Sequence, residues 1–492
     1  MPKFDALLYE ERNGVAWTPW PGSAPSTASA RQRAGGIHPS SHRRKRPDMT
    51  DLPTPQDAAK AFIYGYPLVT NLEQISGFVD GTGGLPLHGP YNTFVPARNL
   101  LGPETKFVTP NNDTLYLMAM CDVRETPVLL TVPDTARRYY VLQFVDAWTN
   151  NFAYVGARAT GTGPGRFFIV HGDAPSSVPD DATVIHAPTG IFSIVGRVQV
   201  NGADDLPAVH AVQDAFSLEV VAAGPAPAGV PTPDPGADPD LTWWETFRVQ
   251  FAAFPPPAGD AEFVALTARL GLQDATSPFI EPDPDLKAVL VGAEAAGRAL
   301  IEELASGKGA ALVHGWRDAA HIFDYNRDFF EVGTLDAPEW KIADSTTAYA
   351  TRSAAARAGL WGNHGYEADY FLTYVDDGGE QLSGSRRYEL RLTQPPPVDA
   401  FWSLTMYDAT DFFLVSNPID RYSIGDRTEG LVTADDGSIT IVLQADRPAA
   451  PERAANWLPT PTGDFRPCLR LYVPGPEVLD GTWAIPPISR VE

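Results

Sequence analysis

Two short polar clusters interrupt otherwise apolar text and hold residue types that bind ligands or move protons. In Phe107-Val108-Thr109-Pro110-Asn111-Asn112-Asp113-Thr114-Leu115-Tyr116 a set of side-chain oxygens sits where a loop enters a strand. In Asp146-Ala147-Trp148-Thr149-Asn150-Asn151 a second set lies just past the end of a buried strand. Asp and Asn oxygens converging from two loops can bind a hard divalent cation or hydrogen-bond a polyhydroxylated ligand, and an Asp so placed can act as a general base. The same residue types also satisfy backbone groups in turns and at strand ends. Asp113 and Asp146 are the strongest candidates for a role beyond that. If their carboxylates share one partly desolvated pocket, they repel and at least one pKa rises.

The C-terminal half offers a second constellation: Phe401-Trp402-Ser403-Leu404-Thr405-Met406-Tyr407-Asp408, Asp436-Gly437-Ser438, Asn456-Trp457-Leu458-Pro459 and Arg470-Leu471-Tyr472. Along 466–473 Arg466, Cys468, Arg470 and Tyr472 alternate with Pro467, Leu469, Leu471 and Val473, so Arg470 and Tyr472 share a polar strand face. A Trp beside an Arg could line a sugar or carboxylate pocket by stacking and bidentate hydrogen bonds. The structural alternative is a Trp that seals a sandwich and an Arg that ties down a loop. Nucleotide-loop, zinc-protease, nucleophile-elbow and paired-cysteine motifs are absent. Gly161-Thr162-Gly163-Pro164-Gly165 reads as a turn, because a proline at its centre does not suit a phosphate cradle. His314 and His321 lack a nearby third ligand.

The elements that must position these residues are mainly β with a helical middle region. The 492 residues allow two to four domains, and 42 Gly with 47 Pro favour turns and short strands over long helices. Thr54 as N-cap and Pro55 open a helix that Pro67 should kink or end. Strand-like runs follow at 113–123, 128–132, 139–145, 167–170 and 191–200. In 138–146 both alternating sets are largely apolar, as in a central strand covered on both sides. A Pro-rich linker spans 224–240, and Thr242 and Glu245 form a capping-box pattern. The helical region covers 241–360, with its longest helix at 284–306 between Pro284 and Gly307 and another at 345–358. Strands return at 370–375, 387–392, 401–407, 439–444 and 469–473, spaced as in a sandwich or jelly roll. The expected division is a disordered tail at 1–48, an N-terminal sandwich with its leading helix at 54–223, the linker, the helical region and a C-terminal sandwich at 361–492.

The net charge of −24 repels phosphate backbones and anionic lipid, so neither nucleic acid nor a membrane is an expected partner. Residues 1–48 are basic and aperiodic, ending near His42-Arg43-Arg44-Lys45-Arg46, so the acidity belongs to the folded part. Neither a signal peptide nor a membrane span is visible, and the chain as written reads as cytoplasmic. Cys121 and Cys468 read as two free buried thiols.

Several phrases together resemble a mostly bacterial two-domain family of unknown function, domain of unknown function 1254 followed by domain of unknown function 1214. They are AFIYGYPLV from Ala61, TPNNDTLY from Thr109, VLLTVPDTARRYYVLQFVDAWTNNFAYVG from Val128, DDGGEQLSGSRRYEL from Asp376, FWSLTMYD from Phe401 and NWLPTP from Asn456. The resemblance implies an N-terminal immunoglobulin-like β-sandwich, a helical middle and a C-terminal jelly-roll-like β-sandwich, but no established reaction. By position it carries over Asn111, Asp113, Thr114, Tyr116, Arg138, Tyr140, Gln143, Asp146, Thr149 and Asn150, then Trp402, Thr405, Tyr407, Asn456, Trp457, Arg470 and Tyr472. Many members have a His where this chain has Pro96, and many look exported.

Two functions fit these residues. The first is a hydrolase-type enzyme acting on a small polar or carbohydrate-like substrate near the Asn/Asp loops. In it Asp113 or Asp146 activates water, Arg138 or Arg470 holds an anionic or carbonyl group, and Asn111, Thr114, Tyr116, Asn150, Trp402, Tyr407 and Trp457 contact substrate. The second is a non-catalytic protein that binds a carbohydrate or small molecule. No cofactor is evident, and the pattern leaves open a divalent cation and a homo-oligomer.

Overall fold

Among the described residues, the strand-forming text of the N-terminal half folds into nine strands. They are β1 (Val95–Pro96), β2 (Thr114–Asp122), β3 (Val128–Val132), β4 (Tyr140–Asp146), β5 (Asn151–Gly156), β6 (Gly165–Val170), β7 (Thr183–His186), β8 (Ile191–Gln199) and β9 (Ser217–Val220). Sheet I has the order β1-β2-β8-β4-β5 and sheet II the order β7-β6-β3-β9. Leu117, Leu142, Phe144 and Ile194 of sheet I close on Leu130 and Ile169 of sheet II in one buried cluster, so the two sheets form a sandwich. β4 is covered on both faces as its pattern requires. Tyr140, Leu142 and Phe144 enter that core, while Tyr139 and Val141 pack outward against Phe401 and Tyr472 of the C-terminal half.

The C-terminal half supplies β10 (Arg317–Asp318), β11 (Ala368–Leu372), β12 (Arg387–Leu392), β13 (Val398–Asp408), β14 (Ser423–Gly425), β15 (Ile439–Gln444), β16 (Trp457–Pro459), β17 (Phe465–Pro474) and β18 (Ile488–Val491). Sheet III runs β10-β11-β17-β13-β14 and sheet IV runs β16-β15-β12-β18, with Trp402, Leu404, Leu469 and Leu471 of the former packed on Leu390, Ile441 and Leu443 of the latter. β12 alternates as expected, with Tyr388, Leu390 and Leu392 buried.

The computed structural model describes residues 53–105, 109–307 and 312–491, within the unit Leu52–Glu492. The basic 1–48 segment lies outside the described residues. Helix Pro55–Asp80 begins as expected, with Thr54 Oγ1 accepting from the Asp57 N–H at 3.1 Å, but Pro67 does not end it. A proline leaves the carbonyl four residues back without its helical donor. Here the Ile63 carbonyl accepts instead from Ser353 Oγ at 2.7 Å, so a neighbouring helix repairs the gap. Helix Thr242–Ala253 forms without the expected capping box, because Glu245 is drawn sideways into hydrogen bonds with Arg248 and Ser277. Helices Pro284–Ser306 and Ser345–Gly359 match their sequence signals, the former closing on Gly307 in the left-handed region. These helices pack against Tyr116, Met118 and Val195 on the outward face of sheet I. Both cysteines are free and buried, and no helix among the described residues is long and apolar enough to cross a membrane.

Candidate functional site

Sheet III turns one face toward sheet I. On that face β17 presents Arg466, Cys468, Arg470 and Tyr472, and the register sets Tyr370 beside Arg470, Leu372 beside Cys468, and Arg317 beside Leu372. Above it lie Tyr116 and Arg197 of sheet I, the loop residues Thr109 and Asn111, and the last turns of helix Ser345–Gly359. Together they enclose a cavity of about 640 Å³, within the range of drug-sized ligand pockets.

Four arginines line this space, and most of their protein partners are neutral. Arg197 donates to Gln143 Oε1 at 2.8 Å and to the Trp361 carbonyl at 2.9 Å. Arg470 donates to Thr405 Oγ1 and to the Thr109 carbonyl, each at 2.9 Å. Arg466 donates to Thr109 Oγ1 at 2.8 Å and Tyr374 OH at 3.1 Å, while its Nε has no partner. Arg317 rests against Gly307, where a side chain would collide with its guanidinium. Burial, aided by repulsion from Arg466 and opposed by Tyr374, pulls the Arg317 pKa down. Cys468 shares the wall, but burial pushes its thiol up against the pull of Arg470 and Arg466, so it is a neutral thiol rather than a nucleophile.

Asn111 is both a turn anchor and a cavity residue. Its Oδ1 accepts from the Asp113 and Thr114 N–H groups at 3.0 and 2.9 Å and from Thr114 Oγ1 at 2.9 Å, which starts β2. That leaves Nδ2 buried and without a partner. Thr109, Trp361 and Phe412 all line the cavity with positive φ, +50°, +64° and +67°. The left-handed region is strained for such side chains, and strain of this kind collects at functional sites.

The structure does not bring the two sequence-predicted carboxylates together. Thr114, next to Asp113, pairs with Gln199 on β8, whereas Asp146 pairs with Phe192, seven residues or about 23 Å of strand away. No shared water or metal can span that. Asp146 is a fully buried turn anchor that accepts from the Asn150 N–H at 2.7 Å and Asn150 Nδ2 at 2.8 Å, and burial raises its pKa to about 6. Asn150 is consumed there, its Oδ1 accepting from Arg352 at 2.8 Å. Asp113 stands behind the cavity wall and accepts from Ser403 Oγ at 2.6 Å and Tyr472 OH at 3.4 Å. Among the described residues no group of three or more His, Cys, Asp or Glu is arranged to hold a metal.

Of the other expected site residues, Asn111, Tyr116 and Arg470 line the cavity. Arg138 does not, because both its Nη atoms are clamped on Asp205 at 2.6 and 2.7 Å. Thr114 is held by Asn111, and Tyr407 donates to the Pro110 carbonyl at 2.6 Å. Trp402 seals the C-terminal sandwich, and Trp457 is buried with its Nε1 on the Gln444 carbonyl at 2.8 Å. Neither lines the cavity. Pro96 sits on edge strand β1 and does not line the cavity. Sequence reasoning passed over Arg197, Arg317 and Trp361. Arg197 offered one signal, a lone charge inside the apolar run of β8.

A two-sandwich protein with helices against one face and an arginine-walled cavity between its halves is thus the class defined by fold and site. The chain matches the protein family of unknown function DUF1254 over residues 91–220 and the protein family of unknown function DUF1214 over residues 367–476. It has this two-domain arrangement, DUF1254 before DUF1214. The crystal structure of the VPA0106 protein from Vibrio parahaemolyticus is similar at 24% identity and a TM-score of 0.67, covering 89% of this chain and 100% of its own, which supports the fold. An uncharacterized protein from Burkholderia cenocepacia matches at 14% identity and a TM-score of 0.43, over 90% of this chain and 92% of its own. No curated protein matches the chain.

Proposed function

We propose that this is a small-molecule-binding protein whose ligand is an organic anion held in the cavity between the two sandwiches. The observation that carries the reading is that Arg197, Arg317, Arg466 and Arg470 line one cavity and that none of them forms an ion pair with a carboxylate among the described residues. Buried cations without counter-charges are costly, and a bound anion offsets that cost. The binding reading is favoured over hydrolysis because Asp113, the sequence-predicted base at this end of the sheet, is engaged behind the wall by Ser403 and Tyr472. An anion is favoured over a carbohydrate because Trp402 and Trp457, the expected stacking platforms, are absent from the lining. A thermal-shift series on the full chain tests this with small organic acids, neutral sugars and amines. A ligand at a hundred times its Kd adds about 2.7 kcal/mol of stability, so organic acids should raise the midpoint while sugars and amines do not. Stabilisation by sugars alone would overturn the reading.

A further inference from the structure

The cavity lining is unequal in a way that narrows the ligand class. Arg197 and Arg470 already spend Nη groups on Gln143, Trp361, Thr405 and Thr109. Arg317 has no hydrogen-bond or ion-pair partner among the described residues, and Arg466 holds a buried Nε without one. These two face the same space closely enough to repel each other. Arg317 offers a guanidinium free of protein partners among the described residues, and Arg466, held in place by Thr109 and Tyr374, sets a second positive charge beside it, an arrangement that suits a planar anionic group. Part of the lining is apolar and built from small side chains: Ala354, Ala355 and Ala358 of helix Ser345–Gly359, continued by Leu360 and Phe323. Helix polarity decides between anions. Helix Pro284–Ser306 reaches the cavity with Ala305 and Ser306, and helix Ser345–Gly359 with Ala358 and Gly359, so both present C-terminal ends. Those ends carry partial negative charge, which disfavours a phosphate dianion, whereas phosphate sites use helix N-termini. A singly charged carboxylate held by arginine forks meets less opposition.

Building on the organic-anion reading above, we propose that Arg317 and Arg466 form the anion-recognition pair and that the ligand is an amphipathic carboxylate, its charged group on that pair and its apolar body against the alanine wall. Isothermal titration of the full chain with octanoate, octan-1-ol, octyl phosphate and acetate tests it, together with Arg317→Gln and Arg466→Gln. Octanoate should bind at least ten-fold tighter than the other three probes, and each variant should weaken octanoate at least ten-fold. Arg317→Gln should not lower the parent melting midpoint, since it breaks no hydrogen bond or ion pair among the described residues, and it decides the matter alone if Arg466→Gln fails to fold. Acetate binding as tightly as octanoate would overturn the apolar body, and octyl phosphate binding more tightly would overturn the carboxylate, with the organic-anion reading intact in both cases. Unchanged octanoate affinity in Arg317→Gln would overturn the recognition pair alone. Equal binding of octan-1-ol, or no saturable binding by any of the three anions, would bring down this inference and the reading beneath it.

Discussion

Arg470 donates through Nη2 to the carbonyl oxygen of Thr109 at 2.9 Å, across 361 residues of chain. Arg466 reaches the hydroxyl of the same residue at 2.8 Å. One loop residue of the DUF1254 half therefore holds two buried arginines of the DUF1214 half, and it does so from a strained backbone conformation with φ of +50°. The cavity wall and the contact between the halves share these bonds.

Thr109→Ala removes the acceptor for Arg466 and leaves a buried charged donor unpaired, at a cost of about 1–3 kcal/mol. Thr109→Ser keeps the hydroxyl and should recover most of the loss. Urea denaturation reads both. Equal stability of the two variants would mean that the hydroxyl carries none of this load.

Asp113 is the carboxylate whose charge reaches Arg470 through the Tyr472 wall. Asp113→Asn retains an oxygen to accept from Ser403 while removing the negative charge. Affinity for organic acids should therefore rise, by roughly two- to ten-fold for a partly screened charge a short distance away. Complete loss of binding with the fold intact would point to a direct ligand or proton-transfer role instead.

Asp146 carries a pH signature of its own. Its pKa is raised by burial to about 6 from an ordinary 3.8, so the folded state prefers it protonated. Its contribution to stability is then full below the unfolded pKa and is lost as pH rises through about 6, a loss of roughly 2–3 kcal/mol. Denaturation midpoints at pH 4, 5, 6 and 7 for the parent and Asp146→Asn isolate this slope from other carboxylates. Parallel curves for the two proteins would refute it.

Arg138 is assigned to the scaffold. Its bidentate pairing with Asp205 holds the Asp205 carboxyl below its usual range, so this contribution is present at neutral pH and fades as pH falls. Both side chains are 16% exposed, so solvent moderates the gain. Arg138→Lys loses the fork geometry and should cost about 1 kcal/mol, leaving ligand affinity within about two-fold. A ten-fold loss of affinity without a stability change would return Arg138 to the site.

Secondary structure was legible wherever one residue's pattern decides it: the buried alternation of β4 and β12, and the Pro284 and Gly307 boundaries of the long helix. That the helix runs on past Pro67 was not legible, because the repair of its missing hydrogen bond comes from Ser353, far along the chain. The site was legible in part. Strand alternation placed Arg470 and Tyr472 on one face, yet which face meets the cavity depends on how sheet III packs on sheet I. The same alternation turns Trp402 into the sandwich core. Asp113 and Asp146 share a residue type and a place at strand ends. Only the antiparallel register with β8 shows that those ends are opposite ones.

The most direct test of the central claim is a crystal structure of the full chain with 8-bromooctanoate, the bromine located by its anomalous scattering. The account predicts a bromine peak inside the cavity against Ala354 and Ala358, with the carboxylate on the arginine wall. A bromine bound only elsewhere on the protein, with the cavity unchanged, would contradict it.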